Sequence, residues 1–414
     1  MTESEARELG LYTRITEMES MMVENGELED LAAQILAKSA ALGAQLPEAT
    51  QASMRELLRI INSYYSNMIE GNSTHPIDIE RATRRDYSSD PAKRNRQIES
   101  IAHIDCQRQI EERLARDSGV VITSPEFLCW VHKTFYDQLP DELRWIKNEE
   151  TGEQMEVIGG EIRTADVRVG NHVGPASISL PAFLDRFHKR YGTRSHGVYP
   201  IIVAAASHHR LMWIHPFLDG NGRVARLYTD AAFRRILPGY GMWNISRGLA
   251  RNRDRYYNAL SLADTPRQGD LDGRGNLSRK GLENFCHFFL EACADQIEYM
   301  ASVLKLDGLL ERIKGYVTLR TLNVAPSPVG TNKMRPEAAH LLQEALLRGE
   351  VPRGEVSRIT GLGDRVARGL VSSLLQEKLL VSPMPQGGLR LGFPIHAVEY
   401  FFPSLYPPTS SGPA

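Results

Sequence analysis

Apolar residues recur at helical spacing along most of this chain, and period-two alternation is confined to short stretches. Residues 13–118 read as several helices, broken at Pro47, at Pro76 and at Asp90-Pro91. One of them, 54–61, has the apolar face of an amphipathic helix. A hydrophobic helix is predicted over 200–213, with Ile201, Ile202, Val203 and Leu211 as core against a second run, 224–237. There Val224, Leu227 and Ala231 keep helical register. Another helix is predicted over 284–306, and Ala325-Pro326-Ser327-Pro328-Val329-Gly330 marks a boundary after it. Alternation around Gly159-Gly160 predicts a short β-hairpin or an irregular loop. Near the C-terminus, helices at 336–347, 353–360 and 364–377 precede a small hairpin turning near Gly387-Gly388. That is the order of a winged helix-turn-helix. The fold class is mainly α.

The join between the two hydrophobic helices holds the chemistry: His215-Pro216-Phe217-Leu218-Asp219-Gly220-Asn221-Gly222-Arg223-Val224-Ala225-Arg226. A turn at Gly220-Asn221-Gly222 that opens a helix offers unpaired N–H groups and a positive dipole end to an anion. Glycine lets the backbone approach that anion closely and take positive φ. Arg223 and Arg226, three apart, can reach the same phosphate chain. His215 is a candidate base at the rim. His215 and Asp219, four apart, also suit two transition-metal ligands, but no third ligand accompanies them, so magnesium ranks above zinc.

This segment resembles the signature of Fic-domain proteins, His-Pro-Phe-x-(Asp/Glu)-Gly-Asn-Gly-Arg-x-x-Arg, and no position departs from it. The resemblance implies a Fic-type helical core and transfer of AMP from ATP to a Ser, Thr or Tyr hydroxyl of a target protein, including the chain itself. It gives His215 the role of general base. Asp219 would hold Mg²⁺ on the phosphates. The Gly220–Gly222 turn with Asn221 would cradle those phosphates, Arg223 would grip the β-phosphate and Arg226 the γ-phosphate. Val224 and Ala225 complete the expected nucleotide-binding stretch.

Upstream, Ser66, Glu70 and Gly71 fit (Ser/Thr)-x-x-x-Glu-(Gly/Asn), which in many Fic proteins lies on an inhibitory helix whose glutamate pairs with the second motif arginine. Gly71 also reads as a helix C-cap. The resemblance makes 153–172 a flap that docks the target's main chain by strand addition and covers the nucleotide, so Val167, Arg168, Val169 and Gly170 are expected contacts. The Tyr-Tyr-x-Ala-Leu run maps the adenine pocket to Tyr256 and to Asp264, where relatives often place Asn.

Length and composition fit this reading. The 414 residues have room for two or three domains, and 42% hydrophobic content can fill real cores. Net charge is −2, so nothing global draws the chain to nucleic acid or to an anionic membrane. Cys106, Cys129, Cys286 and Cys293 show no Cys-x-x-Cys spacing, and the N-terminus lacks signal-peptide regions, so the expected location is a reducing cytoplasm. No apolar run is long enough to cross a bilayer.

The expected organisation is an N-terminal helical region at 1–118 with the inhibitory helix at about 54–72, a Fic core at 119–306, a linker at 307–334, a winged helix-turn-helix at 335–396 and a tail at 397–414 whose end is disordered. Within 335–393, eight basic residues face six acidic ones, a weak excess for DNA binding. Expected partners are ATP, a hydroxyl-bearing target protein and a second copy in a homodimer, with DNA through 335–393 as a further candidate and no membrane. Three alternatives stand beside AMP transfer: removal of AMP from modified proteins, transfer of another phosphate-containing group, and a nucleotide-sensing DNA-binding regulator. Clustering of Arg365, Arg368 and Arg390 would favour the regulator. Doc-type kinases carry Lys where Gly222 stands, which favours the AMP orientation. A P-loop motif is absent from the sequence.

Overall fold

The structure is a computed structural model describing residues 2–72, 74–147, 152–170, 172–193, 196–330 and 333–407. Helix α1 (Glu3–Glu8) leads through a 3₁₀ turn to α2 (Gly26–Gly43), α3 (Glu48–Ile69), α4 (Pro76–Ala82), α5 (Pro91–Arg116) and α6 (Pro125–Tyr136). The last three start on proline, whose missing N–H would have had no helical partner there. The breaks expected at Pro47, Pro76 and Asp90-Pro91 all fall between helices. Two antiparallel ribbons follow, β1 (Trp145–Lys147) with β2 (Gln154–Glu156) and β3 (Arg168–Val169) with β4 (His172–Val173). The chain returns to helix in α7 (Leu180–Tyr191), α8 (Tyr199–Ile214), α9 (Asn221–Ile236), α10 (Ile245–Arg251), α11 (Arg253–Ala263) and α12 (Arg279–Val303).

Helix α12 packs against α2, α8, α10 and α11 at the centre. Its partner α8 carries Ile201, Ile202 and Leu211 into the core, and lies against α9. Helices α3, α5 and α6 also pack on α9. The loop between α8 and α9 is therefore enclosed by α3, α5 and α6.

After α12 come α13 (Leu306–Thr321), α14 (Ala338–Arg348), α15 (Val356–Thr360), α16 (Asp364–Gln376), β5 (Leu380–Val381), β6 (Arg390–Leu391) and α17 (Ile395–Phe401). Two expectations need correction. The segment 307–334 is not a plain linker, because α13 fills its first half and buries Leu309, Ile313, Tyr316 and Val317 against α14 and α17. The tail is ordered to 407: Phe402, Leu405 and Tyr406 are buried, and positions 408–414 lie outside the described residues. Of the two alternatives expected at Gly159-Gly160, a hairpin or an irregular loop, the structure has the loop. The pair lies after β2, where the Gly160 N–H donates to His132 Nδ1 at 2.8 Å.

Helix α13 is tied to α16 by a buried fork. Arg320 meets the end of α16 at Glu377 through two bonds of 2.6 and 2.9 Å, and both side chains are almost fully buried. Removing one member would strand the other charge away from water. Glu377→Ala is expected to lower unfolding free energy by about 3–5 kcal/mol in urea denaturation. A loss below about 1 kcal/mol would mean that the pair behaves as a surface pair.

Candidate functional site

Helix α8 ends because His215 turns left-handed, at φ 49° and ψ 59°, while its N–H still bonds Leu211 O at 3.1 Å. A non-glycine residue held there costs energy that its surroundings must supply. The loop that follows is clamped from within. Asn221 Oδ1 accepts from Phe217 N–H at 2.9 Å, and its Nδ2 donates to Phe217 O at 2.7 Å. The Asn221 side chain thus braces the loop, where a phosphate contact was expected. His132 stacks on Phe217 with ring centroids 4.0 Å apart, and its Nε2 meets Asp219 O at 3.2 Å. Gly220 takes φ 79° and lies so close to Tyr136 that an added Cβ would sit 2.8 Å from its ring.

Helix α9 then starts at Asn221, three residues before the expected 224. Its first return bond runs from Val224 N–H to Gly220 O at 3.0 Å, which leaves the N–H groups of Asn221, Gly222 and Arg223 at the open end. Val224 and Ala225 are buried within the helix and face the core rather than this opening.

The anion at that end is Glu70. Helix α3 closes with paired bonds from Asn72 N–H to Asn67 O and from Gly71 N–H to Met68 O, with Gly71 at φ 86°. This Schellman end points Glu70 at α9. Its Oε1 accepts from Arg226 Nη2 at 2.5 Å, and Ser66 Oγ and Ser66 O accept from the same guanidinium at 2.9 and 3.2 Å. A Cβ on Gly222 would overlap Glu70 Oε1, so glycine there is what admits the carboxylate. Arg253 Nε and the Tyr257 hydroxyl both donate to Ile69 O, at 2.9 and 3.0 Å, fixing the last turn of α3.

Arg223 is buried among acids. It pairs with Glu99 from α5 and, at 3.0 Å, with Asp219 Oδ2, which also accepts from the Tyr136 hydroxyl at 2.5 Å. Burial pushes the Glu99 carboxyl up, and Arg223 offsets this only in part. Burial acts on Asp219 too, but Arg223 and Tyr136 outweigh it and hold that carboxyl below its usual range.

His215 opens onto a cavity of about 380 Å³ that includes Val169, His172, Trp213, Tyr257, Leu260 and Asp264. Burial, then the neighbouring His172 and Arg163, pushes its imidazole down to about 4. Its Nδ1 lies 3.3 Å from Met212 O, an acceptor, so Nδ1 carries the proton and Nε2 keeps its lone pair. Asp264 lies in the cavity wall. Burial opposes its charge, but His172 Nδ1 at 3.0 Å and His209 Nε2 at 3.2 Å hold it well below the usual carboxylate range.

Tyr256 is fully buried, with its hydroxyl on His208 at 2.8 Å, and its neighbour Tyr257 lines the cavity. The spacing of 257, 260, 261 and 264 along one face of α11 was the signal that could have found it. On the flap, Arg168 pairs across to Val173, Val169 is half-exposed above the cavity, Val167 O accepts from Gly174 N–H, and Gly170 turns at φ 59°. Position 171 of the flap lies outside the described residues. Tyr136, Glu99, His132 and Arg163 carry no local motif, and only the fold brings them to the signature.

Known proteins share this arrangement to different extents. Residues 123–232 match the Fic/DOC family. A protein adenylyltransferase Fic of Drosophila grimshawi is 31% identical over 174 residues, 41% of this chain and 34% of that protein. The Drosophila virilis protein of the same name is 38% identical over 114 residues, 27% of this chain and 22% of that one. The chain thus spans about a third or less of the length of these curated relatives. The crystal structure of a Fic family protein from Desulfovibrio desulfuricans G20 superposes with a TM-score of 0.52 at 16% identity, covering 89% of this chain and 97% of that one, a likeness of fold. With an unbroken signature at 215–226 held between α8 and α9, the stretch 123–232 is a domain of the Fic/DOC family.

Proposed function

We propose that this chain transfers AMP from ATP to a Ser, Thr or Tyr hydroxyl of target proteins, itself included, and that Glu70 restrains the reaction. One observation carries the reading: a neutral imidazole with a free Nε2 stands beside a nucleoside-sized cavity and an open helix N-terminus flanked by arginines. In the proposed step the target oxygen attacks the α-phosphorus, its proton passes to His215 Nε2, and pyrophosphate leaves. The N–H groups opening α9 and the guanidinium of Arg223 face the charge that develops. The exposed strand β3 offers the target's main chain an edge.

Asp219 is the donor type that a Mg²⁺ shared with phosphates takes, a hard carboxylate that stays ionised beside the open helix end. Among the described residues no three His, Cys, Asp or Glu cluster as an all-protein metal cage, which fits a cation held in part by substrate oxygens. When bound, Mg²⁺ would neutralise phosphate charge; Asp219 would hold it while Tyr136 and Arg223 orient the carboxylate.

Glu70 occupies the place that a terminal phosphate would need, since its carboxylate takes both Arg226 and the space above Gly222. The regulator reading is not adopted. Arg390 is engaged by Glu350 and is thereby drawn away from any cluster with Arg365 and Arg368. Arg348 and Arg358 are engaged by Glu355, so three of the eight basic residues at 335–393 are already paired with acids.

Glu70→Gly is expected to raise self-labelling from α-labelled ATP with Mg²⁺ by about tenfold or more, about 1.4 kcal/mol per factor of ten. Adding Arg226→Ala should remove the gain. Unchanged or lower labelling in Glu70→Gly would show that the helix is no brake, and loss of an AMP-removing activity in that variant would make Glu70 a catalyst.

His215→Ala should abolish α-label transfer and leave ATP affinity nearly unchanged, because the base acts only as the hydroxyl attacks. Label arriving from the γ-phosphate instead would assign a kinase.

An imidazole held at about 4 is already unprotonated at neutral pH, so kcat/KM of Glu70→Gly should stay flat from about pH 8 down to about 5.5 and fall only toward pH 4. A midpoint near 6.5 would mean that His215 is not the group described.

A further inference from the structure

The signature does not include the residue that touches its base most closely from outside. Arg163 lies between the two ribbons and is 4% exposed. Its Nε donates to His215 O at 2.8 Å, and its own backbone N–H donates to Pro216 O at 3.0 Å. Nη1 donates to Ala165 O at 2.8 Å, just before β3, and Nη2 donates to Pro175 O at 2.6 Å, just after β4. A Cβ at Gly174 would lie 2.9 Å from Nη2, so that glycine makes the room.

We propose that Arg163 is a positioning residue for the transfer reaction, sewing both ends of the β3–β4 flap to the main chain of His215. The proposal rests on the reading of His215 as the base of that reaction. Three carbonyls of separate segments meet one planar guanidinium, a geometry that fixes direction as well as distance. The left-handed backbone of His215 would otherwise relax toward a commoner region and carry the imidazole with it. The flap that would hold target and nucleotide then shares one frame with the base.

The charge of Arg163 matters as well. The carboxylate near it, Asp166 Oδ1, is 3.9 Å away and already accepts from Ser177 N–H at 2.7 Å. Burial lowers the guanidinium to about 10, so it stays cationic at neutral pH. The groups facing His215 are Arg163, His172 of β4 with its ring centroid 6.2 Å away, Asp219 of the loop, and Met212 O of α8. After burial, His172 and Arg163 keep the imidazole unprotonated.

The test uses the full chain carrying Glu70→Gly, with Arg163→Lys or Arg163→Gln added. Self-labelling is measured with Mg²⁺ and α-labelled ATP, thermal unfolding is followed, and the His215 ring is titrated by NMR. Both variants should stay folded and lose about 10–100-fold in kcat, with KM for ATP within about twofold, as expected for a misplaced base. Lysine keeps the charge without the fork, so kcat stays low while the His215 midpoint remains near about 4. Glutamine should raise that midpoint, with burial still holding it below the ordinary imidazole value. Full activity in either folded variant, a loss confined to KM, or an unmoved midpoint in Arg163→Gln would overturn the proposal. Unfolding of both variants would make Arg163 purely structural and overturn it too. If the Glu70→Gly parent takes no label, the transfer reading fails, and the Arg163→Gln titration still decides whether Arg163 acts on His215.

Discussion

A helix that begins on Gly-Asn-Gly inside a protein leaves N–H groups that must meet an anion or water, and here two buried arginines stand beside them. Everything around the α8–α9 loop answers that concentration of positive charge. Glu99 comes from α5, Asp219 from the loop itself and Glu70 from the end of α3. Two of these acids are held by more than one partner, Asp219 by Arg223 and Tyr136, Glu99 by Arg223 with Asn72 beyond it. Glu70 differs. Its anchor is one guanidinium at the end of a helix, and glycine at 222 leaves the space it occupies open to any other anion. Of the three acids, Glu70 thus has the fewest side-chain anchors.

The end of α3 is fixed by contacts that also belong to other parts of the protein. Tyr257 lines the cavity beside His215 and bonds Ile69 O. A turn earlier, the Tyr65 hydroxyl donates to Leu405 O in the C-terminal strap. Arg247 donates to Ser404 O at 2.7 Å and to Leu405 O at 3.2 Å, and Tyr299 to Pro403 O at 3.0 Å, so that strap is itself well anchored. The position of Glu70 thus depends on side chains in the cavity wall and on backbone more than three hundred residues away in sequence.

The helices, their proline starts and the signature loop were legible because they obey local rules: period 3.6, caps, and a run of specified side chains. The miss at α13 was one of weighting. Leu309, Ile313, Tyr316 and Val317 carry a clear helical period, but the Pro-rich stretch at 325–330 invited a boundary drawn too early. Tyr256 and Tyr257 differ by phase, since adjacent residues on a helix point about 100° apart, and only packing decides that Tyr257 reaches the cavity while Tyr256 enters the core. Arg163, Glu99 and Tyr136 were illegible in principle. Each acts through contacts 52 to 124 residues distant along the chain, and nothing local distinguishes them from a solvated arginine, a helix-face glutamate or a core tyrosine.

Helix α3 is held by buried apolar side chains, Met54, Leu57, Leu58, Ile61, Tyr64, Tyr65 and Ile69, and also by polar pairs against α5. Asn62 Nδ2 meets Gln107 Oε1, Ser63 Oγ meets Ser100 O, and Asn67 Nδ2 meets Ser100 Oγ, all buried between α3 and α5. Several groups there, Asn62 Oδ1, Asn67 Oδ1 and His103 Nε2, have no hydrogen-bond partner among the described residues. Glu70 thus sits at the end of a helix held both by buried apolar side chains and by directional polar pairs, so its place on Arg226 is set by the packing of the whole helix and not by the ion pair alone.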